Sequence, residues 1–135
     1  MPNIAIVDDE PILLDLLSAL LLRDGHEVLA LGSPVAALDS ILSGQMQFDL
    51  LLTDVEMNSI TGFDLVKQLM EAGFKSPVIF MSGYHRVPAE MGSDLRKMAV
   101  LEKPFTAGEL RAAVALALAG GMPGSRTAAG ATSLQ

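Results

Sequence analysis

The run Asp49-Leu50-Leu51-Leu52-Thr53-Asp54-Val55-Glu56-Met57 constrains this chain more than any other stretch. Its aliphatic residues are unbroken, the pattern of a strand buried on both faces rather than one alternating between core and solvent. Such strands belong to parallel sheets covered by helices on both sides, and the crevice beyond their C-terminal ends is where ligands bind. The run ends in a carboxylate, so Asp54 is delivered to a position of chemical interest. A second aliphatic run, Ile4-Ala5-Ile6-Val7, ends the same way in Asp8 and Asp9.

The spacing of the other apolar residues supplies the remaining layers. After a strand over residues 3–7, Pro11 suits a first helical turn, and Leu13, Leu14, Leu17, Leu20 and Leu21 recur at helical intervals until Gly25. A second strand over 27–31 is followed by Ser33 as N-cap before Pro34, opening a helix predicted to bury Ala37, Leu38, Ile41 and Leu42 and to stop at Gly44. The third strand, 50–54, leads to a helix from Thr61-Gly62 that carries Leu65, Val66, Leu69 and Met70 and closes at Gly73. The fourth strand is predicted over 77–81, ending in Ser82-Gly83, and a short fifth over 99–102, followed by Lys103-Pro104-Phe105. Thr106 and Glu109 have capping-box spacing, so the last helix starts there and buries Leu110, Ala113, Val114, Ala117 and Leu118. Pro88 and Gly92 interrupt the fourth helix, which is predicted short or irregular with Met91, Leu95 and Met98 facing the core.

Five βα units in succession imply a parallel sheet with helices on both faces, an α/β three-layer sandwich. We take the flavodoxin-like order 2-1-3-4-5, a known order of such sheets rather than one these residues dictate. It makes the first and third strands neighbours and gathers Asp8, Asp9 and Asp54. With 135 residues, half of them apolar, one domain over 1–119 is expected, and 120–135, which lacks periodicity, reads as a flexible tail or linker. No run is long enough to span a membrane, the N-terminus lacks a basic segment before its apolar run, and there are no cysteines, so a soluble cytoplasmic chain without disulfides or thiolate metal sites is expected. A net charge of -7 argues against direct nucleic-acid binding.

Three clustered carboxylates do not all stay ionised unaided. Two like charges about 4 Å apart repel by roughly 4 kcal/mol at an effective dielectric near 20. A cation must share the site, and Mg²⁺ fits all-oxygen ligands with few protein carboxylates and retained waters. Lys103 supplies a second, fixed positive charge. One carboxylate then serves as nucleophile toward a phosphoryl group. Taken singly, each residue has a plainer role: Asp8 and Asp9 as acids before a helix, Asp54 and Ser82-Gly83 as turn residues, and Lys103 as a solvated lysine before a proline. His26 and His85 read as surface residues, and the eight methionines as core filler.

Asp8-Asp9, Asp54, Ser82 and Lys103-Pro104-Phe105, each at the tip of its strand, resemble the receiver domains of two-component response regulators, the CheY-like superfamily, over about residues 3–119. The intervals are 45 residues from Asp9 to Asp54, 28 to Ser82 and 21 to Lys103, and Met57, Gly62 and Leu65 also stand where the family has them. The resemblance implies that Asp54 is the phosphoacceptor, that Asp9 binds Mg²⁺ directly and Asp8 through water, and that the backbone carbonyl of Glu56 completes the protein ligands. It makes Ser82 and Lys103 the pair that senses the phosphoryl group, with a cis bond before Pro104 aiming Lys103 inward. Val100 stands where the family carries an aromatic residue, which puts the signalling face of fourth helix, fifth strand and fifth helix in question.

The implied function is a phosphorelay switch, not an enzyme beyond self-catalysed phosphoryl transfer and autodephosphorylation. Its partners would be a sensor histidine kinase or a histidine phosphotransfer protein, with a downstream effector or a second copy on that signalling face. The chain is expected to stand alone or to belong to a larger hybrid protein. Two other classes are weighed: a pseudo-receiver acting as a phosphorylation-independent interaction module, and a phosphohydrolase with Glu56 as acid-base catalyst, which its unlike motif disfavours.

Overall fold

The unbroken aliphatic runs become the middle of the sheet. The structure, a computed structural model, describes residues 2–83, 87, 92–96 and 98–120, the Arg96 side chain excepted. Strands β1 (Asn3–Val7), β3 (Leu50–Asp54) and β4 (Val78–Ser82) are flanked by β2 (Glu27–Leu31) and β5 (Ala99–Glu102), all parallel, in the order β2-β1-β3-β4-β5. This is the flavodoxin-like order expected. Every residue of β3 and β4 is buried, whereas β2 keeps Glu27 and Ala30 exposed and β5 keeps Glu102 exposed. A continuous aliphatic strand has no face to offer solvent, so it takes the interior; strands with polar or small residues take the edges.

Side chains alternate across each strand and divide the core in two. Ile4, Ile6, Leu50, Leu52, Ile79 and Met81 face one layer, where they meet Leu17 and Leu21 of α1 (Pro11–Arg23) and Leu110, Val114 and Ala117 of α5 (Ala107–Leu118). Ala5, Val7, Leu51, Val78 and Phe80 face the other, against Ala37 of α2 (Pro34–Leu42) and Leu65, Val66 and Leu69 of α3 (Gly62–Glu71). Burying each of the larger apolar side chains among these contributes about 1.5–3 kcal/mol, so the two layers hold the strand tips in place from both sides. Phe63 adds an edge-on contact to Phe80, ring centroids 4.8 Å apart.

The helix starts follow their caps. Ser33 Oγ accepts from the Ala36 N–H at 3.2 Å and Thr61 Oγ1 from the Asp64 N–H at 3.1 Å. At α5 the box is reciprocal: Thr106 Oγ1 accepts from the Glu109 N–H at 3.0 Å, and Glu109 Oε1 accepts from the Thr106 N–H at 2.8 Å.

Four expectations shift. β4 begins at Val78 and includes Ser82; Pro77 has no N–H to donate, and only its carbonyl enters the sheet, accepting from the Leu51 N–H. Leu42, placed on the buried stripe of α2, is 51% exposed, because the last turn points it away while Pro34 at the first turn is buried. Among the described residues α4 is one turn, Ser93–Arg96, in keeping with the short helix expected; Pro88 lies outside them. Leu95 and Met98 do pack on the core, and so does Val87, which the periodicity passed over; Met91 lies outside the described residues. His26 is half-buried rather than on the surface, its Nδ1 buried without a partner; His85 lies outside the described residues. Gly120 (φ +81) follows α5, and the rest of the expected tail lies outside the described residues. Among the described residues, no helix is long and apolar enough to cross a membrane.

Candidate functional site

The register of β1 on β3 pairs Val7 with Thr53, so the next residue along each strand emerges at the same edge of the sheet. There Asp8, Asp9 and Asp54 converge, each offering a carboxylate oxygen within 4.8 Å of the others. Asp8 is fully buried and Asp54 nearly so at 3%. Asp8 Oδ1 accepts from the Glu10 N–H at 2.9 Å, while its Oδ2 is buried with no hydrogen-bond partner. Asp9 Oδ2 accepts from the Asn58 N–H at 2.9 Å, which ties the loop after β1 to the loop after β3.

From the other side comes Lys103. Its backbone N–H donates to the Ser82 carbonyl at 2.7 Å, continuing the pairing of β5 with β4 past Glu102. The Lys103–Pro104 bond is cis as expected, and Lys103 Nζ lies 2.6 Å from Asp54 Oδ1. Ser82, fully buried at the tip of β4, donates its hydroxyl to Glu56 Oε2 at 2.8 Å, and the Gly83 N–H reaches Glu56 Oε1 at 3.4 Å. Behind these loops, Gly62 donates its N–H to the Val55 carbonyl at 3.0 Å; a Cβ there would collide with the Asp54 carbonyl oxygen. Only glycine lets α3 start so close to the strand tip.

Burial sets the electrostatics. It raises the Asp8 carboxyl to about 6, opposed by the Glu10 N–H and reinforced by the negative charge of Asp54. Burial also holds the Asp54 carboxyl above the usual range, even though the Lys103 ammonium draws it down. For Lys103, burial works against the charge, but the hydrogen bond to Asp54 and the fields of Asp54, Asp8 and Glu56 outweigh it, so the ammonium is held above its ordinary value. Among the described residues, one lysine faces three carboxylates, which leaves a local excess of negative charge. The unpartnered, buried Asp8 Oδ2 marks where compensation is lacking, and an all-oxygen donor set of this size suits a hard divalent cation.

The structure therefore brings Asp8, Asp9, Asp54, Lys103 and Ser82 to one place. Glu56 enters differently from the expectation: its side chain holds the tip of β4, a role that a backbone ligand does not foreshadow. Asn58 was also not anticipated, since it contributes through its backbone N–H, which no residue type signals.

Sheet order and site together define a flavodoxin-like α/β domain with an acid cluster and one lysine at its switch point. Residues 4–115 match the family model described as response regulator receiver domain, and the chain belongs to that family, the receivers of two-component systems. It is 34% identical over 118 residues to the response regulator protein TmoT of Ectopseudomonas mendocina, a match covering 85% of this chain and 52% of that protein. The chain thus spans about half the length of the curated relatives it matches. Among solved structures it is similar to the receiver domain of the hybrid histidine kinase CckA (29% identity, TM-score 0.70, covering 86% of this chain and 98% of that one). It is also similar to the response regulator TrrA of Thermotoga maritima, solved in complex with Mg²⁺ and BeF (26% identity, TM-score 0.74, covering 85% and 97%).

Proposed function

We propose that this receiver domain accepts a phosphoryl group on Asp54 from a phosphohistidine of a sensor kinase or phosphotransfer protein, and relays that event by moving the tip of β4. The observation that carries the proposal is the Lys103–Asp54 pair at 2.6 Å beside two further carboxylates within 4.8 Å. A carboxylate that is buried, paired with one ammonium and next to an acid oxygen lacking a partner is arranged for charge compensation rather than for capping a helix. In the transfer, an Asp54 oxygen bonds to phosphorus as the phosphorus–nitrogen bond of the donor breaks, its electron pair leaving with the imidazole. Phosphoryl transfer demands positioning and charge neutralisation more than acid-base catalysis, so no histidine is required. Asp8, Asp9, Asp54 and the Glu56 carbonyl would hold a Mg²⁺, which supplies neutralisation of the phosphoryl oxygens.

Lys103 neutralises charge on the transferred group from the opposite side and remains protonated throughout. Ser82, at the tip of the strand next to β3, would turn its hydroxyl toward a new group carrying roughly two negative charges, and its movement would carry the loop after β4. The domain ends near residue 119, and the chain acts as acceptor rather than as a turnover enzyme. Output would pass through α4, β5 and α5 to an effector or a second copy, with Val100 packing on the core where a turning ring would otherwise sit.

Incubation with Mg²⁺ and a small phosphodonor, followed by intact mass, is the test. One added phosphoryl group on wild type and none on Asp54→Asn, with the fold retained, is the expected result. Labelling that persists in Asp54→Asn would move the nucleophile elsewhere. An unlabelled wild type that still binds the metal would leave a phosphorylation-independent interaction module, the reading that Val100 favours.

A further inference from the structure

We infer that the Glu56 side chain is a positioning residue, a carboxylate latch that holds Ser82 and the tip of β4 in the unphosphorylated arrangement and must let go for the switch to operate. The inference rests on Asp54 being the phosphoacceptor. Glu56 is exposed on the loop after β3, yet its two oxygens reach across to β4, one accepting from the Ser82 hydroxyl at 2.8 Å and the other from the Gly83 N–H at 3.4 Å. Its carboxylate stands two residues beyond Asp54, on the loop that leaves the strand carrying the phosphoacceptor. It is therefore a fixed negative group beside the place where more negative charge would arrive.

A serine hydroxyl has one proton to donate. While that proton is given to Glu56 it is not available to an oxygen on Asp54, so the two arrangements of Ser82 exclude each other. A phosphoryl group repels Glu56 by charge and competes with it for the same donor, and both effects drive the latch open. Opening breaks the contacts to Ser82 and Gly83 together, because one carboxylate makes both. Asp54 and Lys103 need no Glu56 side chain for their own contact, so the latch sets the balance between the two states rather than the chemistry of transfer.

Fluoroberyllate with Mg²⁺ mimics a phosphoryl group on a carboxylate, and its affinity for the full chain, followed by amide NMR, reads that balance. Glu56→Ala should tighten binding about tenfold, the scale of one charge-assisted hydrogen bond lost from the resting state. Glu56→Gln keeps an acceptor without the charge and should fall between Ala and wild type. In a Ser82→Ala background the difference between Ala and Gln at position 56 should shrink to the small part that the 3.4 Å contact with the Gly83 N–H contributes. In metal-free protein, Glu56→Ala should speed hydrogen exchange at the Gly83 N–H several-fold. Equal effects of Ala and Gln, or a difference undiminished by Ser82→Ala, would reduce Glu56 to a distant charge and overturn the latch alone. A wild type that binds Mg²⁺ but no fluoroberyllate would overturn the phosphoacceptor reading, and the latch with it.

Discussion

Asp8 is the residue whose burden is most visible, a fully buried carboxyl with one oxygen hydrogen-bonded and the other unpartnered. Burial pushes its carboxyl up to about 6 from the ordinary 3.8, so the folded metal-free chain binds this proton more tightly than the unfolded chain. That contribution to stability is complete below about pH 4 and is lost as pH rises through 6. At neutral pH without metal, Asp8 alone withholds up to about 3 kcal/mol relative to its protonated form. Asp8→Asn should therefore stabilise the metal-free domain at pH 7 by a large part of that amount and bring little near pH 4, as read by urea unfolding at the two pH values. No stabilisation at pH 7 would mean that the buried oxygen is already compensated.

At the scale of elements, local chemistry and close packing separate cleanly. The α5 start rests on a reciprocal capping box, so Thr106→Ala should lower the unfolding free energy by about 1 kcal/mol and leave the acid cluster undisturbed. The α3 start rests on contact instead. Gly62→Ala forces a methyl group into the Asp54 carbonyl, and overpacking of this kind costs about 1–3 kcal/mol. Because the strained atom belongs to the residue that carries the site carboxylate, Mg²⁺ affinity should fall as well, though no ligand is changed. Urea melts paired with a Mg²⁺ titration distinguish the two variants: Thr106→Ala moves the first measurement only, Gly62→Ala both.

For the whole molecule, a cation that neutralises the three acids binds only the folded chain, because the unfolded chain does not assemble them; stabilisation then grows as RT ln(1 + [Mg²⁺]/Kd), about 2.7 kcal/mol at a hundredfold excess over Kd. The thermal midpoint should rise with Mg²⁺ at pH 7.5 and much less at pH 5, where Asp8 holds its proton, and Asp9→Asn should remove most of the rise. Much of this architecture was legible beforehand. The unbroken runs at 4–7 and 50–52 named the central strands, the caps at Ser33 and Thr106 named two helix starts, Thr61-Gly62 marked a third, and Pro88 with Gly92 foretold a short α4. These features are local, since the period of burial and the chemistry of a cap depend on a few neighbouring residues. Leu42 was misplaced because periodicity states which residues share a face and not where a packed helix ends, and Val87 was missed because a lone apolar residue has no period at all. The acids, serine and lysine of the site were readable as residue types at strand tips. Their meeting depended on strand order, and the Glu56 bridge to Ser82 depended on how two loops far apart in the chain come to face each other. A hydrogen bond spanning 26 residues leaves no mark on the order of the amino acids, because its geometry exists only once β3 and β4 lie side by side.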